Sequence, residues 1–293
     1  MNIFVTGGTG LIGSAVVAEL LTHGHAVTAL ARSEESALAA QKAGAEPVRG
    51  GLSDLDVLRG AADRADGVVN LAFGHDFSSL EAVARSVAEE AAALGALGEV
   101  LTGSGRPLVT VSGTPQVPGR ASTEDDPIST EGPVGGRARS VMGVLALAEH
   151  GVKTNAVRLP RTVHNQGNGG FAGLLAHMAR QSGVCRYPGD GSQRWPAVHA
   201  LDAAVLFRLV LETAPAGTEW HAVADEGDAV RDIATVIGRR LGLPVEEVPA
   251  AAFGPLGAIF SIDQPSTSTR TREELAWEPT HPSLLDDLEN LQP

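Results

Sequence analysis

Four glycines near the start of the chain have a spacing that suits phosphate binding. Residues 3–16 read IFVTGGTGLIGSAV, an apolar run, a glycine-rich turn and then a helical pattern. One glycine permits a tight turn, one lets the backbone approach a pyrophosphate, and one lets a helix pack closely on a strand. The first N–H groups of that helix would face the phosphates. An ordinary strand-to-helix turn is the alternative. The candidate dinucleotide contacts are Gly7, Gly8, Thr9, Gly10, Leu11, Ile12 and Gly13.

The residues after the second apolar run indicate which dinucleotide this loop takes. A free ribose 2′-hydroxyl is usually held by an acid about twenty residues further along the chain. Ala31 stands at this place and Arg32 follows it. The planar fork of an arginine pairs well with a 2′-phosphate. We therefore expect NADP(H) to be preferred over NAD(H), although Glu34 and Glu35 nearby also fit a solvated arginine.

Three further side chains have chemistry suited to a reacting carbonyl group. Ser112 ends an apolar run, and its hydroxyl can either hold a carbonyl oxygen or satisfy a local turn. Arg137 carries a permanent charge that suits an oxyanion or a carboxylate, with a surface arginine as the alternative. His164 and His199 are candidate general acids, because histidine titrates near neutrality, but a structural role fits either residue. His164 is the better candidate, since it follows the apolar run at 154–159 and would lie at the mouth of the expected pocket.

Short apolar runs and helical patterns alternate over the first half of the chain and must position these residues. The apolar runs are 3–6, 26–30, 67–71, 108–112 and 154–159, and helical patterns include 80–97 and 141–149. This alternation predicts parallel strands joined by right-handed crossovers. The expected fold class is α/β, with a doubly wound parallel sheet of the Rossmann type.

The second half changes character near Asn165, where glycines interrupt the alternation. A Gly- and Pro-rich loop over 187–196 contains Tyr187, Arg194 and Trp195, which could cover a substrate or simply anchor the loop. Further elements are expected at 171–181, 201–212, 220–223, 230–241 and 284–291. The apolar segment 248–260 is expected to be core, with an oligomer contact or a lid as alternatives.

The length of 293 residues suits a main domain with a smaller lobe. We expect a dinucleotide-binding domain at 1–165 with a returning segment at about 197–215. The substrate lobe would comprise 166–196 and 216–293.

Composition narrows the class of protein further. Hydrophobic residues make up 43% of the chain, enough for a substantial core, and the net charge of −13 with no basic block argues against nucleic-acid or anionic membrane partners. The single cysteine, Cys185, excludes an internal disulfide. Neither a signal sequence nor a membrane-spanning run is evident. We expect a cytoplasmic protein that acts on small molecules, with no bound metal and no hydrolase motif.

Several segments resemble extended, epimerase-like short-chain dehydrogenases/reductases. TGGTGLIG matches the family's TGxxGxxG fingerprint, and similar segments are VVNLAFG at 68–74, RLPRTVHNQG at 158–167, RWPAVHALDAA at 194–204, and 271–290. The resemblance implies that Ser112 is the active-site serine and that Leu52, Leu71, Ala72 and Phe73 line the cofactor site. It also implies a homodimer formed through helices near 80–97 and 138–149.

One departure from the family pattern affects the mechanism. The family usually carries a tyrosine followed four residues later by a lysine, whereas Tyr187 is the only tyrosine here and Gly191 is its fourth neighbour. The segment RARSV matches the family's tyrosine helix best, and it puts Arg137 at the tyrosine position and Val141 at the lysine position. The chain therefore resembles an atypical subgroup of the family.

These features predict an NADP(H)-binding oxidoreductase that transfers hydride to or from a small organic carbonyl or alcohol. Ser112 would hold the substrate oxygen, and the proton would come from His164, water or another group. Two alternatives stay open: an epimerase or dehydratase that uses the nucleotide transiently, and a non-catalytic NADP(H) sensor.

Overall fold

The computed structural model describes residues 1–74, 79–132 and 135–292, except for the side chain of Leu80. The chain forms two compact units. Unit 1 comprises Met1–Ser112, Ile128–Arg158 and Ala204–Trp220, and unit 2 comprises Gly113–Pro127, Leu159–Ala203 and His221–Pro293. These boundaries differ from the expected ones, because 113–127, 159–165 and 197–203 belong to unit 2 and 216–220 belongs to unit 1.

Strands and helices alternate through the first part of the described chain. They are β1 (Asn2–Thr6), α1 (Leu11–Thr22), β2 (Ala26–Ala31), α2 (Glu34–Lys42), β3 (Glu46–Arg49), α3 (Leu55–Asp63), β4 (Gly67–Asn70), α4 (Leu80–Leu101), β5 (Pro107–Gly113), α5 (Gly135–Ala146), a 3-10 helix (Leu147–His150) and β6 (Lys153–Leu159).

Shorter elements dominate the remainder. They are β7 (Thr162–His164), α6 (Gly170–Ser182), β8 (Cys185–Pro188), β9 (Arg194–His199), α7 (Ala200–Thr213), β10 (Thr218–His221), β11 (Asp225–Ala229), α8 (Val230–Leu241), β12 (Val245–Val248), a 3-10 helix (Ala250–Leu256), α9 (Gly257–Phe260), α10 (Thr269–Leu275) and α11 (Leu284–Leu288).

A seven-stranded sheet organises unit 1, with the strand order β10-β6-β5-β4-β1-β2-β3. The pairings of β1 with β2 and β4, of β2 with β3, and of β4 with β5 are parallel. The order reverses at β1, which is the switch point where such sheets bind ligands. The predicted doubly wound α/β fold is confirmed. The core members include Phe4, Leu30, Leu58, Leu97 and Leu108.

Unit 2 contains two small sheets, β11-β9-β7 and β12-β8. Its core gathers Phe171, Trp195, Phe253 and Phe260, whose ring centroids lie 5.2 to 5.7 Å from their aromatic neighbours. The expectation that 248–260 is core is met only in part: Phe253, Gly257 and Phe260 are buried, whereas the other residues of the segment are exposed or half-buried.

The prediction of a glycine- and proline-rich loop over 187–196 is mostly wrong. Tyr187 lies in β8, and Arg194 begins β9. Trp195 is fully buried, because its indole ring fills the core of unit 2 instead of covering a substrate. Only the segment between the two strands is a turn, in which the Asp190 carboxylate accepts from the N–H and hydroxyl of Ser192.

No helix among the described residues is both long and apolar enough to span a bilayer.

Candidate active site

The glycine loop of unit 1 is packed so tightly that side chains are excluded at two positions. Gly7 has a φ of +71°, and a Cβ there would lie 2.8 Å from the backbone nitrogen of Ala72. A Cβ on Gly13 would collide with the carbonyl oxygen of Gly7. The loop therefore requires glycine for the turn and for the close approach of α1 to β1.

A pair of polar side chains fixes this loop against the end of β4. The Thr6 hydroxyl donates to Asn70 Oδ1 at 2.7 Å and accepts from the N–H groups of Leu71 and Ala72, each at 3.2 Å. Sequence reasoning missed Thr6 and Asn70, although each is a polar residue that ends an apolar run. The pair holds the backbone of Leu71 and Ala72 beside the loop.

The first turn of α1 is open to an anion. Gly10 precedes the helix and provides no side-chain cap, and no acid lies in the first turn. The first N–H groups of a helix lack partners within it and favour negative charge. Together with the tight glycine turn, these features fit the binding of a dinucleotide pyrophosphate.

Arg32 lies exposed directly after β2. Its neighbour Arg49 donates to Glu34 at 3.0 Å, so that acid is already engaged. Arg32 itself forms no hydrogen bond or ion pair with any described residue. Ala31 is fully buried, so an acid could not readily replace it. The end of β2 therefore presents an exposed guanidinium that no described acid engages.

The turn after β3 offers few polar side chains that a cofactor could contact. Leu52 is buried in the core of unit 1, and the Asp54 carboxylate accepts from the N–H of Gly51 at 2.7 Å. That contact closes the turn. Leu52 stays a predicted cofactor contact.

Ser112 lies at the carboxyl end of β5 and has an unsatisfied hydroxyl. Its Oγ is buried and has no hydrogen-bond partner among the described residues. The alternative that Ser112 satisfies a local turn is therefore not supported. The Ser112 hydroxyl is therefore available to hydrogen-bond to a ligand.

Arg137 on α5 is held by an acid that sequence reasoning missed. Its Nε and Nη2 donate to the two carboxylate oxygens of Glu90 on α4, at 2.7 and 2.9 Å. The guanidinium carbon lies 4.2 Å from the centre of the Phe73 ring. Arg137 is therefore not the solvated surface arginine considered as the alternative, and only its Nη1 donates to no described residue.

Glu90 is buried, with 1% of its surface exposed. Burial raises the pKa of its carboxyl above the ordinary value, and the hydrogen bonds and charge of Arg137 oppose that rise. The sequence does show an acid within the alanine-rich stretch that forms α4. Such an acid is normally solvent-exposed, so its burial was not expected.

His164 belongs to a buried cluster in unit 2 and is not at a solvent-exposed mouth. Its Nδ1 lies 2.9 Å from an oxygen of Asp287, which also accepts from the N–H of Gly167 at 3.0 Å. The ring of His164 is 5.3 Å from that of His199, which stacks on His281 at 4.8 Å. The Nε2 of His164 is buried without a partner among the described residues.

The hydrogen bonds of this cluster favour the ionised form of Asp287. Burial would raise the pKa of Asp287, but hydrogen bonds from His164 and Gly167 outweigh it and lower the pKa. Burial lowers the pKa of His199. The buried side chains of His164, His199 and Asp287 offer possible metal-ligand atoms that lie within 4.8 Å of one another. Among the described residues this is the only such group. The expectation that no metal binds stays a prediction.

The structure thus brings Arg137, Phe73 and the missed Glu90 together within unit 1. Ser112 and the glycine loop also belong to unit 1, whereas His164 belongs to unit 2. The catalytic roles of Ser112, Arg137 and His164 stay predictions.

Comparisons with known proteins place the chain in a family. Residues 3–223 match the NAD dependent epimerase/dehydratase family. An uncharacterized protein of Schizosaccharomyces pombe is 41% identical over 292 residues, covering 98% of both chains. A 3-diazoavenalumate denitrifying reductase of a Streptomyces species is 28% identical over 310 residues, covering 98% of this chain and 99% of the relative.

Solved structures show the same fold. The UDP-glucose 4-epimerase of Thermotoga maritima, solved with UDP-glucose, superposes with a TM-score of 0.82 at 21% identity, covering 99% of this chain and 97% of the epimerase. With most of its length matched, the chain belongs to the NAD-dependent epimerase/dehydratase family, whose members use nicotinamide cofactors.

Proposed function

We propose that this chain is an NADP(H)-dependent reductase that transfers hydride between the nicotinamide and a small organic carbonyl or alcohol. The observation that carries the proposal is the Ser112 hydroxyl, buried without a partner at the carboxyl end of β5. The glycine loop and the unpaired Arg32 support the choice of cofactor. The full-length similarity to a Streptomyces reductase supports the reaction class.

Each residue has a role in this proposal. The bound cofactor supplies or accepts the hydride. Ser112 donates a hydrogen bond to the substrate oxygen and so fixes the orientation of the carbonyl. Arg137, whose fork Glu90 holds in place, offers Nη1 to negative charge that develops on that oxygen. The proton comes from His164, water or another group.

Two rival functions make different predictions. An epimerase or dehydratase would use the nucleotide transiently, and both activities are named in the description of the matched family. A non-catalytic NADP(H) sensor is favoured by the absence of a tyrosine–lysine dyad and by the engagement of Arg137 with Glu90.

A screen of carbonyl compounds with NADPH deuterated at the transferable position tests the proposal. A reductase oxidises NADPH and places one deuterium on the product carbon. Altered substrate without net oxidation would indicate the epimerase or dehydratase, and binding without turnover would indicate the sensor.

Two matched variants test Ser112 itself. Ser112→Ala should lower kcat/KM by about a hundredfold, the usual effect of removing one well-placed donor. Thr110→Val is the control, because Thr110 is two residues earlier on β5 and its buried hydroxyl also lacks a described partner. Equal losses in both variants would mean that the effect is structural.

The proposal includes a homodimer formed through α4 and α5, both rich in small residues. Light scattering at micromolar protein should give twice the monomer mass, and a monomer mass would refute this assembly.

A further inference from the structure

Two arginines of unit 1 stand at the neighbouring carboxyl ends of β2 and β3. Ala31, which ends β2, is the register partner of Arg49, which ends β3. The N–H of Gly50 donates to the carbonyl oxygen of Ala31 at 3.1 Å, so the two chains stay together beyond that pair. Arg32 follows Ala31 directly, and both arginine side chains are exposed. The strand pairing therefore brings a second cation to the place where Arg32 is expected to meet a 2′-phosphate.

The guanidinium of Arg49 reaches the first turn of α2. Its Nη1 donates to Oε2 of Glu34, the first residue of that helix, at 3.0 Å. Glu34 is only two residues from Arg32 in the chain. Nε and Nη2 of Arg49 donate to no described residue, so their N–H groups can bind a ligand while Nη1 stays with the acid. The ion pair thus orients Arg49 towards the residues that follow β2.

The start of α2 has already used backbone N–H groups in a capping box. The Ser33 hydroxyl accepts from the N–H of Ser36 at 3.1 Å, and the Ser36 hydroxyl accepts from the N–H of Ser33 at 3.0 Å. This helix start differs from that of α1, which has no side-chain cap. A 2′-phosphate bound beside α2 would therefore depend mainly on side-chain donors.

The charges at this place make a single arginine insufficient for a phosphate. Glu34 and Glu35 both lie in the first turn of α2, and both are exposed. Beside Arg32 alone, a phosphate dianion would meet one positive and two negative side chains. Arg49 adds a second positive charge, and its hydrogen bond engages one of the two acids. Charges on neighbouring residues interact even in solvent, so the second cation should raise the affinity for a phosphate.

We propose that Arg49 binds the 2′-phosphate of NADP(H) together with Arg32, and that Glu34 orients Arg49 but weakens phosphate binding by repulsion. The inference rests on the proposed function, because it assigns further specificity residues to the cofactor of that reaction. A planar guanidinium can offer separate N–H groups to the carboxylate and to the phosphate oxygens, which a lysine ammonium does less well.

Calorimetric titration with NADPH and NADH tests the inference without turnover. Arg49→Gln should weaken NADPH binding by about tenfold and leave NADH binding unchanged, because only NADPH carries the 2′-phosphate. Arg49→Lys keeps the charge but loses the fork, so it should recover part of the NADPH affinity. Arg59→Gln is the matched control and should change neither affinity. Arg59 is another arginine of unit 1 that pairs with surface acids, Asp56 and Glu99, each at 3.2 Å.

A second variant tests the role of the acid. Glu34→Gln keeps an oxygen that can accept from Arg49 but removes the negative charge, so NADPH should bind about threefold more tightly and NADH as before. Unchanged or weaker NADPH binding in Glu34→Gln would refute the repulsion. Thermal unfolding and NADH affinity check that each variant folds, and Glu34→Gln keeps the test decisive if Arg49→Gln does not fold.

The outcomes separate the inference from the proposed function. A preference for NADPH that is kept in Arg49→Gln and lost in Arg32→Ala would overturn the inference and keep the cofactor choice. Equal weakening of NADPH and NADH in Arg49→Gln would also overturn it, since that result indicates a structural role. Equal affinities of the unaltered protein for both cofactors would overturn the cofactor choice itself. A preference that depends on Arg49, in a protein that transfers hydride to no carbonyl compound, would overturn the reductase and keep the inference.

Discussion

Arg137 in unit 1 and Arg161 in unit 2 have the same side chain over the same kind of ring, but their charges are balanced differently. The guanidinium carbons lie 4.2 Å from the Phe73 ring and 5.1 Å from the Phe171 ring. Arg137 is neutralised by the buried acid Glu90, whereas Arg161 meets only neutral acceptors. The difference teaches that the ring contact positions a guanidinium, while the other partners decide how many of its N–H groups are left for a ligand.

The pKa values show the same contrast. Burial raises the pKa of Glu90 despite the arginine beside it, and burial alone lowers the pKa of Arg161. Unit 1 thus contains a buried ion pair in which only Nη1 of Arg137 is left for a ligand. Unit 2 contains a cation whose described hydrogen-bond acceptors are both neutral.

The largest expected effect concerns catalysis by Arg137. Arg137→Ala should reduce kcat/KM by tens to about a thousandfold, because a guanidinium that holds an oxyanion in a dry site contributes about 2–4 kcal/mol. Tyr187→Phe should leave kcat/KM nearly unchanged, since this tyrosine has no lysine partner and lies in β8. Steady-state kinetics at matched NADPH saturation would compare them. If Tyr187→Phe were inactive and Arg137→Ala active, the assignment of the catalytic group to Arg137 on α5 would be wrong.

A smaller effect concerns the pH dependence of stability. The pKa of Glu90 lies above its ordinary value, so its contribution to stability is full at acidic pH and is lost as the pH rises through the raised pKa. Arg137→Ala removes the opposing interactions and should lower the free energy of unfolding by about 2 kcal/mol at pH 8, and by less at pH 5. Denaturant unfolding at both pH values measures this difference.

The double variant Arg137→Ala/Glu90→Gln is the control for that experiment. It removes the ionisable group, so much of the loss at pH 8 should disappear. A loss that is equal at both pH values and persists in the double variant would show that packing, not charge, accounts for the effect.

The smallest effect is expected for the stability of unit 2. Arg161→Gln gives up two hydrogen bonds but also removes a desolvated cation, so the free energy of unfolding should change by only about 1 kcal/mol. The change should be the same at pH 5 and pH 8, because the pKa of about 10 lies above this range. A loss as large as that of Arg137→Ala would refute the contrast between the two arginines.

The elements that position the cofactor were predictable from the sequence because they have a strong local pattern. The five apolar runs became β1, β2, β4, β5 and β6. The β3 strand was missed because its sequence, EPVR, is an edge strand with exposed and half-buried residues and no apolar run. Tyr187 and Trp195 were placed in a loop because nearby glycines and prolines masked two short strands.

The partners of the charged residues could not be predicted, because they depend on contacts between distant segments. Glu90 is 47 residues from Arg137, and Asp287 is 123 residues from His164. Nothing in local spacing distinguishes these acids from solvated ones. The open charge of Arg161 is harder still to foresee, since it depends on the absence of any described acid beside it.

Binding of a dinucleotide at the glycine loop, with NADP(H) preferred through Arg32, is the central claim about the cofactor, and one measurement tests it directly. Calorimetric titration with NADPH and NADH should show tighter binding of NADPH, and Arg32→Ala should weaken NADPH binding by about tenfold or more while leaving NADH nearly unchanged. Equal affinities for the two cofactors, or an Arg32→Ala variant with unaltered NADPH affinity, would contradict the account.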